Sequence, residues 1–556
     1  MTAVDTEYQP HEAFARWRSG RFGGAGVLNQ TWMDQIERDP NLQNVILGIQ
    51  LAFGTDYEVR VGTKQFSTSS SDGSSYSFAG SLGGEPSITW AYQPGNASSS
   101  TNNISASIPN ALVDLKKLMG AGRVLAGVAE VALYIEGGSY ESRLILLSGD
   151  ITDLEFGHVD EIVNFTINEP REAVDQSLPP YVLSTQRHST LIAASEGAAL
   201  AIAMEEYEYI PCHALNNSTT LPNFAVCHDH LTISAVYVDG VSYPTTSSIY
   251  PWSQVHTVDR LGTPYTQINF TGGSGTFDGE GGEKVYASVT DGPTNGNVVQ
   301  IIQRIVEHHT TITHSGANLD LFARAEARAG FLPAQVAANA SGSGNQGAIS
   351  FIEGSILESF PMISMAWFHG RYGPVFTDRQ DRRSVTPLIA DQWPVFDREG
   401  PVREVSKVDC YNSFSIRYSY DALADEFAKY TERNPRNNAL CELSRSIIGE
   451  RHADQLESIF IHDDAAAERV LDWCVAHMAI PGYDVAYAVS TSLGLRLMLG
   501  DNVELTDPEF DWVDEIATII SITWQSTHCS IVLRVWNDKL QLAGAPLAVP
   551  SYSGGQ

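Results

Sequence analysis

A strand-and-loop phrase occurs twice in this chain, and the repeat limits the possible folds more than any single motif does. The first copy, LILLSGDITDLEFGHVDEIVNFTI, runs from Leu144 to Ile167, and the second, LRLMLGDNVELTDPEFDWVDEIATIISITW, runs from Leu495 to Trp524. Both read as an apolar strand, a Gly-Asp turn, an acidic segment ending in Glu-Phe, and Val-Asp-Glu-Ile before an alternating strand. The repeat predicts one fold unit duplicated within the chain, with Gly149 and Gly500 in equivalent turns.

The two copies align only if the second carries a short insertion. The matched positions are Gly149 with Gly500, Asp150 with Asp501, Glu155 with Glu509, Phe156 with Phe510, and Val159–Ile162 with Val513–Ile516. Gly-Asp turns between strands are common, so chance similarity of two hairpins is the alternative explanation.

The composition is that of a globular chain of several domains with an acidic surface. A length of 556 residues is enough for roughly three to five domains. Hydrophobic residues make up 43% and charged residues 18%, a balance that argues against overall disorder. The 34 basic and 66 acidic residues give a net charge of -32. Such a surface disfavours reading or wrapping of nucleic acid, but it is compatible with DNA that slides past without sticking.

The chain shows no targeting segment, membrane segment or disulfide pattern. The start, MTAVDTEYQPHEAF, lacks a basic region followed by an apolar core, and no apolar run reaches about 18 residues. Six cysteines in 556 residues are too few and too scattered for a disulfide framework. We therefore expect synthesis in a cytoplasm and no membrane segment.

Strand and helix patterns divide the chain into six segments. They are an N-terminal arm over 1–43, a β-barrel or sandwich over 44–175, a β-rich inserted domain over 176–290, an α+β domain over 291–400, a second barrel with a helical insertion over 401–545, and a C-terminal tail over 546–556. The arm has a partial apolar stripe at Trp32, Ile36 and Leu42, which suggests a docking arm. Asp239-Gly240 predicts a hairpin turn, and Gly330 is placed to end a helix.

The cluster that best fits a metal is CHALNNSTTLPNFAVCHDH. Its candidate ligands are Cys212, His213, Cys227, His228, Asp229 and His230. Thiolate and imidazole suit zinc, but adjacent Cys-His pairs on a strand point to opposite sides and converge poorly on one ion. We predict a polar loop with a buried cysteine, and no metal at Cys212 and Cys227. His308, His309 and His314 are predicted at a helix end, where positive charge complements the helix dipole.

Other patterns give little support to catalysis. Asp153 with Glu155 and Asp507 with Glu509 could bind calcium, although a solvated acidic loop is the favoured interpretation of each pair. No nucleophile elbow, phosphate-cradling loop or HExxH helix is present. The glycine-rich stretch GGSGTFDGEGGE is interpreted as a flexible loop. We predict no catalytic residue, no cofactor and no metal, and therefore no enzyme.

Aromatic side chains would provide a platform for glycans if they were exposed together. The candidates are Trp90, Tyr92, Trp367 and Phe368. The same residues fit a hydrophobic core equally well. A glycan-binding β-sandwich is therefore one alternative function, and a metal-dependent hydrolase built around residues 212–230 is a second.

Three phrases in the middle of the chain and three near its end form a recognisable set. The first three are VYVDGVSYP, NVVQIIQRIVEHHTTITHSGANLDLFARAEARAG and AISFIEGSILESFPMISMAWFHGRYGPVF. The last three are REVSKVDCYNSFSIRYSYD, LRLMLGDNVELTD and ITWQSTHCSIVLRVW. Over residues 44–540 the set resembles the tail hub proteins of tailed bacteriophages, in the baseplate-hub-like family. The resemblance implies a mainly β chain in which an α+β insertion separates two tail-tube-like barrels, and it implies a homotrimeric ring.

The resemblance also implies a structural role and a set of partners. Three chains with two barrels each present six barrels, which adapts a sixfold tail tube to a threefold tip at the distal end of the tail. The implied neighbours are a tail tube or distal tail ring protein above, tip, fibre or spike proteins below, and a tape measure protein in the lumen. The expected location is the virion, after synthesis in the host cytoplasm. We expect no peptidoglycan hydrolase in a C-terminal extension of this chain.

The channel of such a ring would conduct DNA during ejection without specific binding. Each phosphate neutralised by Lys or Arg adds a salt-dependent binding energy that would slow the transit of DNA. We therefore predict a lumen that is acidic or neutral, with the basic residues directed toward neighbouring tail proteins.

Overall fold

The computed structural model shows a mainly β chain with a smaller helical part. It describes residues 32, 34–36, 45–53, 57–83, 86–95, 103–109, 113, 127–156, 162–169, 175–178, 182–204, 206–277, 284–290, 296–312, 316–338, 346–379, 381, 385–392, 394–405, 409–525 and 528–536. The segment NALVDLKKLMGAG, whose pattern indicates a short amphipathic helix, falls largely outside these residues. Pro179 and Pro180, which suggest a domain boundary, also fall outside them.

The first unit contains a six-stranded antiparallel sheet, a small hairpin and one short strand. Its strands are β1 (Val45–Phe53), β2 (Tyr57–Gly62), β3 (Phe66–Ser69), β4 (Ser75–Phe78), β5 (Ile88–Ala91), β6 (Asn103–Pro109), β7 (Gly127–Ile135), β8 (Leu144–Phe156) and β9 (Ile162–Asn168). The sheet has the order β2-β1-β7-β8-β9-β6, and β3 pairs with β4. Alternate residues of its strands are buried, because successive side chains of a strand point to opposite faces.

The next region is a β-sandwich. Its strands and the short strands before it are β10 (Ser177–Leu178), β11 (Ile202–Ala203), β12 (Tyr207–Pro211), β13 (His213–Ala214), β14 (Asn223–His228), β15 (Thr232–Val238), β16 (Val241–Tyr243), β17 (Trp252–Val258), β18 (Pro264–Phe270) and β19 (Val285–Thr290). One sheet has the order β12-β19-β15-β16 and the other β13-β14-β18-β17. Their inner faces form a separate hydrophobic core.

A helical region follows the sandwich. Its elements are α1 (Val298–His309), α2 (Gly316–Ala329), β20 (Ala337–Ala338), β21 (Gln346–Gly347), α3 (Ala348–Phe351), a π turn (Ile352–Ile356), α4 (Leu357–Ser359), β22 (Ile363–Phe368) and β23 (Arg371–Phe376). Helix α1 begins where the Asn297 side chain accepts a hydrogen bond from Val299 N at 3.1 Å. Its apolar residues recur at helical spacing and are buried.

The second unit and its insertion complete the chain. Their elements are β24 (Thr386–Ile389), β25 (Val395–Arg398), β26 (Arg403–Glu404), β27 (Phe414–Asp421), β28 (Glu426–Arg433), α5 (Ala439–Ile448), β29 (Leu456–Glu457), α6 (Asp464–Met478), β30 (Tyr483–Val489), α7 (Thr491–Gly494), β31 (Asn502–Asp507), β32 (Trp512–Trp524) and β33 (Cys529–Val535). The main sheet has the order β24-β31-β32-β33-β30-β25, and the insertion forms the small sheet β28-β27-β29.

Four strands of each unit repeat the same order and the same register. The order β7-β8-β9-β6 of the first sheet matches β31-β32-β33-β30 of the second. The β8–β9 ladder shifts register between Ile151 and Asp153, and the β32–β33 ladder shifts between Ile519 and Ser521. The β7–β8 and β31–β32 ladders also carry equivalent register shifts. The prediction of a duplicated unit in a mainly β fold is therefore confirmed.

The sequence match between the two phrases nevertheless paired the wrong strands. It set Gly149 of β8 against Gly500 before β31, whereas β8 corresponds to β32. Gly149 lies inside β8, where a Cβ atom would come within 1.9 Å of the carbonyl oxygen of Asn168. Gly500 lies in a turn before β31, at a φ of +77°. The ladders make Ala517 the counterpart of Gly149, so the prediction of equivalent Gly-Asp turns is wrong. The physical reason is that a Gly-Asp pair occurs in two settings. Glycine permits the positive φ of a turn, and it also permits two strands to approach closely.

Strand β5 joins the two units. It lies between β4 and β6 in the chain, but it pairs antiparallel with the last part of β32, from Ile88 opposite Trp524 to Ala91 opposite Ser521. Its inward side chains enter a hydrophobic core that draws residues from both main sheets. The two half-barrels therefore share one core.

Part of the N-terminal arm also packs into this shared core. Trp32 and Ile36 are buried in it, and Trp32 Nε1 donates a hydrogen bond to Ser142 O at 2.7 Å. Leu42, the third residue of the predicted stripe, lies outside the described residues. The described part of the arm docks on its own chain.

The helices form a second core that crosses a predicted domain boundary. Residues of α1 and α2 share this core with residues of α5 and α6. Strands β24 and β25, which precede the boundary predicted at 401, belong to the second main sheet. Pro387, which falls within the predicted α+β domain over 291–400, lies in edge strand β24, a position where a missing N–H is tolerated.

Two local predictions are confirmed. Asp239 and Gly240 have φ values of 49° and 80° between β15 and β16, as a two-residue hairpin turn requires. Helix α2 ends at Ala329, and Gly330 follows with a φ of 64° while its N–H donates to Glu326 O at 2.8 Å.

Candidate functional site

Each main sheet turns one side toward the shared core and the other side away from it. The side turned away, which we name the polar face, carries many small uncharged polar residues beside carboxylates such as Glu130 and Glu155. Its members include Thr89, Ser105, Ser107, Ser148, Thr152, Asn164, Thr166, Asn168, Ser521 and Thr523. Ser105 Oγ and Thr166 Oγ1 are 3.3 Å apart, and Thr89 Oγ1 and Thr523 Oγ1 are 2.9 Å apart across the β5–β32 junction. These cross-strand contacts make a hydrogen-bonding surface without net positive charge.

The arginines beside the polar face are mostly paired with carboxylates. Arg143 Nη2 donates to Glu130 Oε2 at 3.0 Å, and Arg534 donates to both oxygens of Asp484 at 2.8 and 2.9 Å. The exception is Arg403 on β26, which has no carboxylate partner among the residues that the structure describes. Paired arginines offer little attraction to phosphate, because their donors are already used by carboxylates.

Two further arginines of the sheets follow the same pattern. Arg60 forms an ion pair with Glu58, and Arg398 binds Glu509 through two contacts of 2.7 and 3.1 Å. The Arg398 guanidinium hydrogen-bonds to Glu509 and holds the pKa of that carboxyl below its usual value. The polar face is therefore suited to lie beside a polyanion without holding it.

A buried ion network fixes the helical region to the second unit. Arg324 of α2 pairs with Asp501, and Arg328 reaches Asp501 at 3.4 Å and Asp381 at 3.0 Å. Arg328 Nη2 also donates to the carbonyl oxygen of Gly500 at 2.8 Å. Burial, and then the neighbouring Arg328, lower the pKa of Arg324 from its usual value. The Gly-Asp turn of the second phrase thus serves as the attachment point of α2.

The predicted Cys and His cluster is spread over the first strands of the sandwich. Cys227 is buried in β14, and Cys212 lies between β12 and β13. Burial raises the pKa of Cys227 to about 12 and lowers the pKa of His213. Within the described ranges, no three His, Cys, Asp or Glu side chains are grouped so that they could hold a metal ion. The absence of a metal at Cys212 and Cys227 stays a prediction.

His228 and Asp229 lie instead at a contact between the sandwich and α1. His228 Nδ1 is 3.2 Å from Asp229 Oδ1, and Arg304 of α1 is 3.9 Å from Asp229 Oδ2. His308 and His309 end α1 as predicted. Burial, and then nearby His228, lower the pKa of His309 to about 4. His309 is therefore neutral at pH 7, so the prediction that it complements the helix dipole with positive charge is wrong; His314 lies outside the described residues.

One of the two proposed calcium pairs is occupied by protein partners. Asp507 Oδ2 accepts a hydrogen bond of 2.5 Å from the Tyr487 hydroxyl, and Asp507 Oδ1 accepts one from Glu509 N at 2.9 Å. Asp507 is buried, so its interpretation as part of a solvated loop is wrong. For the other pair, Glu155 is exposed in β8, and the side chain of Asp153 lies outside the described part of the structure.

The four aromatic candidates for a glycan platform are all buried. Trp90, Tyr92, Trp367 and Phe368 are 1%, 5%, 7% and 3% exposed. Trp90 packs against Phe368 with ring centroids 5.1 Å apart, and Tyr92 accepts a hydrogen bond from Thr377 at 2.9 Å. They form core contacts and present no surface on which a sugar ring could stack.

Comparison with known proteins found similarity only to solved structures. No family model matches the chain, and no curated protein matches it. The chain is similar to the 43 kDa tail protein of prophage MuSo2 from Shewanella oneidensis, with 11% identity and a TM-score of 0.38, over 89% of this chain and 99% of that chain. It is also similar to a tail protein from Neisseria meningitidis MC58, with 10% identity and a TM-score of 0.36, over 89% and 97%.

A third similar chain belongs to the virion of a native gene transfer agent particle, with 12% identity, a TM-score of 0.38, and coverage of 65% of this chain and 89% of that chain. These three similar structures are tail or virion proteins. Across the described residues, no helix has the length and apolar character needed to cross a membrane.

Proposed function

We propose that this chain is a structural protein of a bacteriophage tail, and specifically the hub at the distal end of that tail. In this role three copies form a ring that adapts a sixfold tail tube to a threefold tip, and DNA leaves through the central channel. The work of the protein is assembly and conduction, without catalysis.

The observation that carries the proposal is the duplicated four-stranded unit. Two units with one strand order and one register lie in a single chain, and β5 of the first completes the sheet of the second. A chain with two similar units can occupy two adjacent positions of a sixfold ring. Three such chains fill the ring while keeping threefold symmetry elsewhere, because the inserted sandwich occurs once in each chain.

The proposed partners follow from this position. A tail tube or distal tail ring protein would lie above the ring, tip, fibre or spike proteins below it, and a tape measure protein within its lumen before ejection. The protein would be made in the host cytoplasm and would become part of the virion.

The stoichiometry of the purified protein tests the proposal. Light scattering coupled to gel filtration is expected to give three times the chain mass of 60.6 kDa. A monomer or a dimer at concentrations well above those of tail assembly would contradict the hub role, because no other copy number turns two units per chain into six.

DNA binding provides a second test, which concerns the channel that we propose the polar face lines. The acidic chain, with its paired arginines, is expected to bind a labelled duplex more weakly than about 10⁻⁴ M at physiological salt, below the usual non-specific range. The double variant Glu130→Gln, Asp484→Asn frees Arg143 and Arg534 and is expected to bind DNA at low salt. Anisotropy of the labelled duplex measures both.

The matched control for this experiment is Glu442→Gln, which frees an arginine on helix α5, away from the polar face. This variant should bind DNA no better than the unmodified protein. Tight binding by the unmodified protein, or an equal gain in the control, would contradict a channel lined by the polar face.

A further inference from the structure

The two units differ in how much of one edge of their long strands, β8 and β32, is hydrogen-bonded to a neighbouring strand. In the second unit, β31 pairs with β32 as far as Thr518, and β5 then pairs with Ser521–Trp524 on the same side. The ladders make Asp153–Phe156 of β8 the counterpart of Ser521–Trp524. In the first unit, β7 covers β8 only as far as Asp150, and no described strand pairs with Asp153–Phe156 on that side.

The residue that lies beside this edge on the outward side is buried in the second unit and exposed in the first. Asn502, where β31 begins, is 3% exposed, and its Nδ2 donates to the carbonyl oxygens of Asp378 and Asp381 at 2.7 and 2.8 Å. Its counterpart in the ladder is Val128, where β7 begins to cover β8. Val128 is 51% exposed. The first unit thus presents an apolar side chain where the second unit is covered.

From these differences we propose that the edge Asp153–Phe156 and Val128 form a docking surface for a second copy of this chain. An extended segment of that copy adds a strand to β8, as β5 adds a strand to β32 within one chain. The inference rests on the proposed trimer, and it names the surface through which the ring closes.

The second copy is the occupant for two reasons. The equivalent edge in the other unit is already completed by a strand of this chain, so a strand of the same chain has the geometry that the edge accepts. The proposed contact is heterologous, because the β8 edge of one copy meets a different surface of the next copy. Repeated head-to-tail contacts of this kind form a ring when the rotation between copies closes. An exposed strand edge left open would also promote uncontrolled pairing.

Hydrogen exchange and mass measurement on the full chain test this surface. In the assembled protein, the amides of residues 153–156 that point away from β9 are expected to exchange slowly, as those of β32 that bond to β5 do. The variant Val128→Asp is expected to dissociate the assembly to single chains and to make these amides exchange on the order of a hundredfold faster. Exchange elsewhere in the first unit should stay unchanged, because the Val128 side chain is half-exposed.

The matched control is Val258→Asp, since Val258 is 55% exposed at the end of a strand in the sandwich. It should remain assembled with these amides of residues 153–156 protected. A protein that assembles with fast exchange at these amides, or dissociates equally in both variants, would overturn this inference and leave the proposed function standing. A wild-type protein that stays monomeric would overturn both.

Discussion

Replacing Asp501 with alanine is expected to lower the free energy of unfolding by about 3–5 kcal/mol, the cost of breaking a buried ion pair by removing one partner. The change removes the carboxylate that Arg324 and Arg328 share, while Asp381 stays paired with Arg328. It also removes the acceptor for Met498 N, which lies 3.1 Å from Asp501 Oδ2. Chemical denaturation followed by tryptophan fluorescence measures the effect on the transition that unfolds the second unit.

Two comparison variants identify the cause of this loss. Asp501→Ala combined with Arg324→Met should recover part of the stability, because a buried charge without a partner is replaced by an apolar side chain. Glu442→Ala breaks an exposed ion pair on α5 and should leave the unfolding midpoint unchanged. Equal destabilisation by Asp501→Ala and Glu442→Ala would show that the buried network does not hold α2 to the second unit.

Replacing Trp90 with alanine is expected to cost about 3–5 kcal/mol, the usual range for deleting a large aromatic side chain from a core. Trp90 is 1% exposed on β5, and it fills the shared core beneath the junction with β32. Its loss should loosen β5 from β32 as well as leave a cavity. Faster hydrogen exchange in residues 88–91 and 521–524, together with a lower unfolding midpoint, would record both effects.

The neighbouring variant Thr89→Ala is the control for the cavity. Thr89 lies on the same strand with its side chain on the polar face, and it loses only the 2.9 Å contact with Thr523 Oγ1. A small change in stability is expected, since the contact is exposed. The account of β5 as the link between the units fails if Trp90→Ala leaves the exchange of residues 521–524 at its original rate.

Alternating patterns in the sequence indicated the class of fold but could not fix the alignment of its two halves. Apolar residues such as Ile151 and Ile519 occupy equivalent ladder positions, but the same alternation occurs in neighbouring strands, so a shift by one strand fits equally well. Glycine added to the ambiguity. Gly149 is needed where the backbone of β9 comes close, whereas Gly500 is needed for a positive φ.

Contacts between distant parts of the chain were beyond sequence reasoning. Strand β5 has only four residues, and so short a segment carries too little sequence signal to predict its partner. Thr89 and Thr523, which meet across this pairing, are 434 positions apart. The arginines of α2 look like the solvated face of a helix, and only the fold shows that Arg324 is buried against Asp501. Strands β24 and β25 fell within the predicted α+β domain over 291–400, since proline is rare inside strands and Pro387 and Pro394 therefore gave no strand signal.

Averaged electron-microscope images of the purified protein, viewed down its symmetry axis, would show where its two units lie. We expect a ring of three chains in which six half-barrels lie at one radius, with the sandwich domains repeating three times around it. A ring of three chains whose first and second units lie at different radii, or an assembly without threefold symmetry, would contradict the claim that the duplicated units occupy equivalent positions.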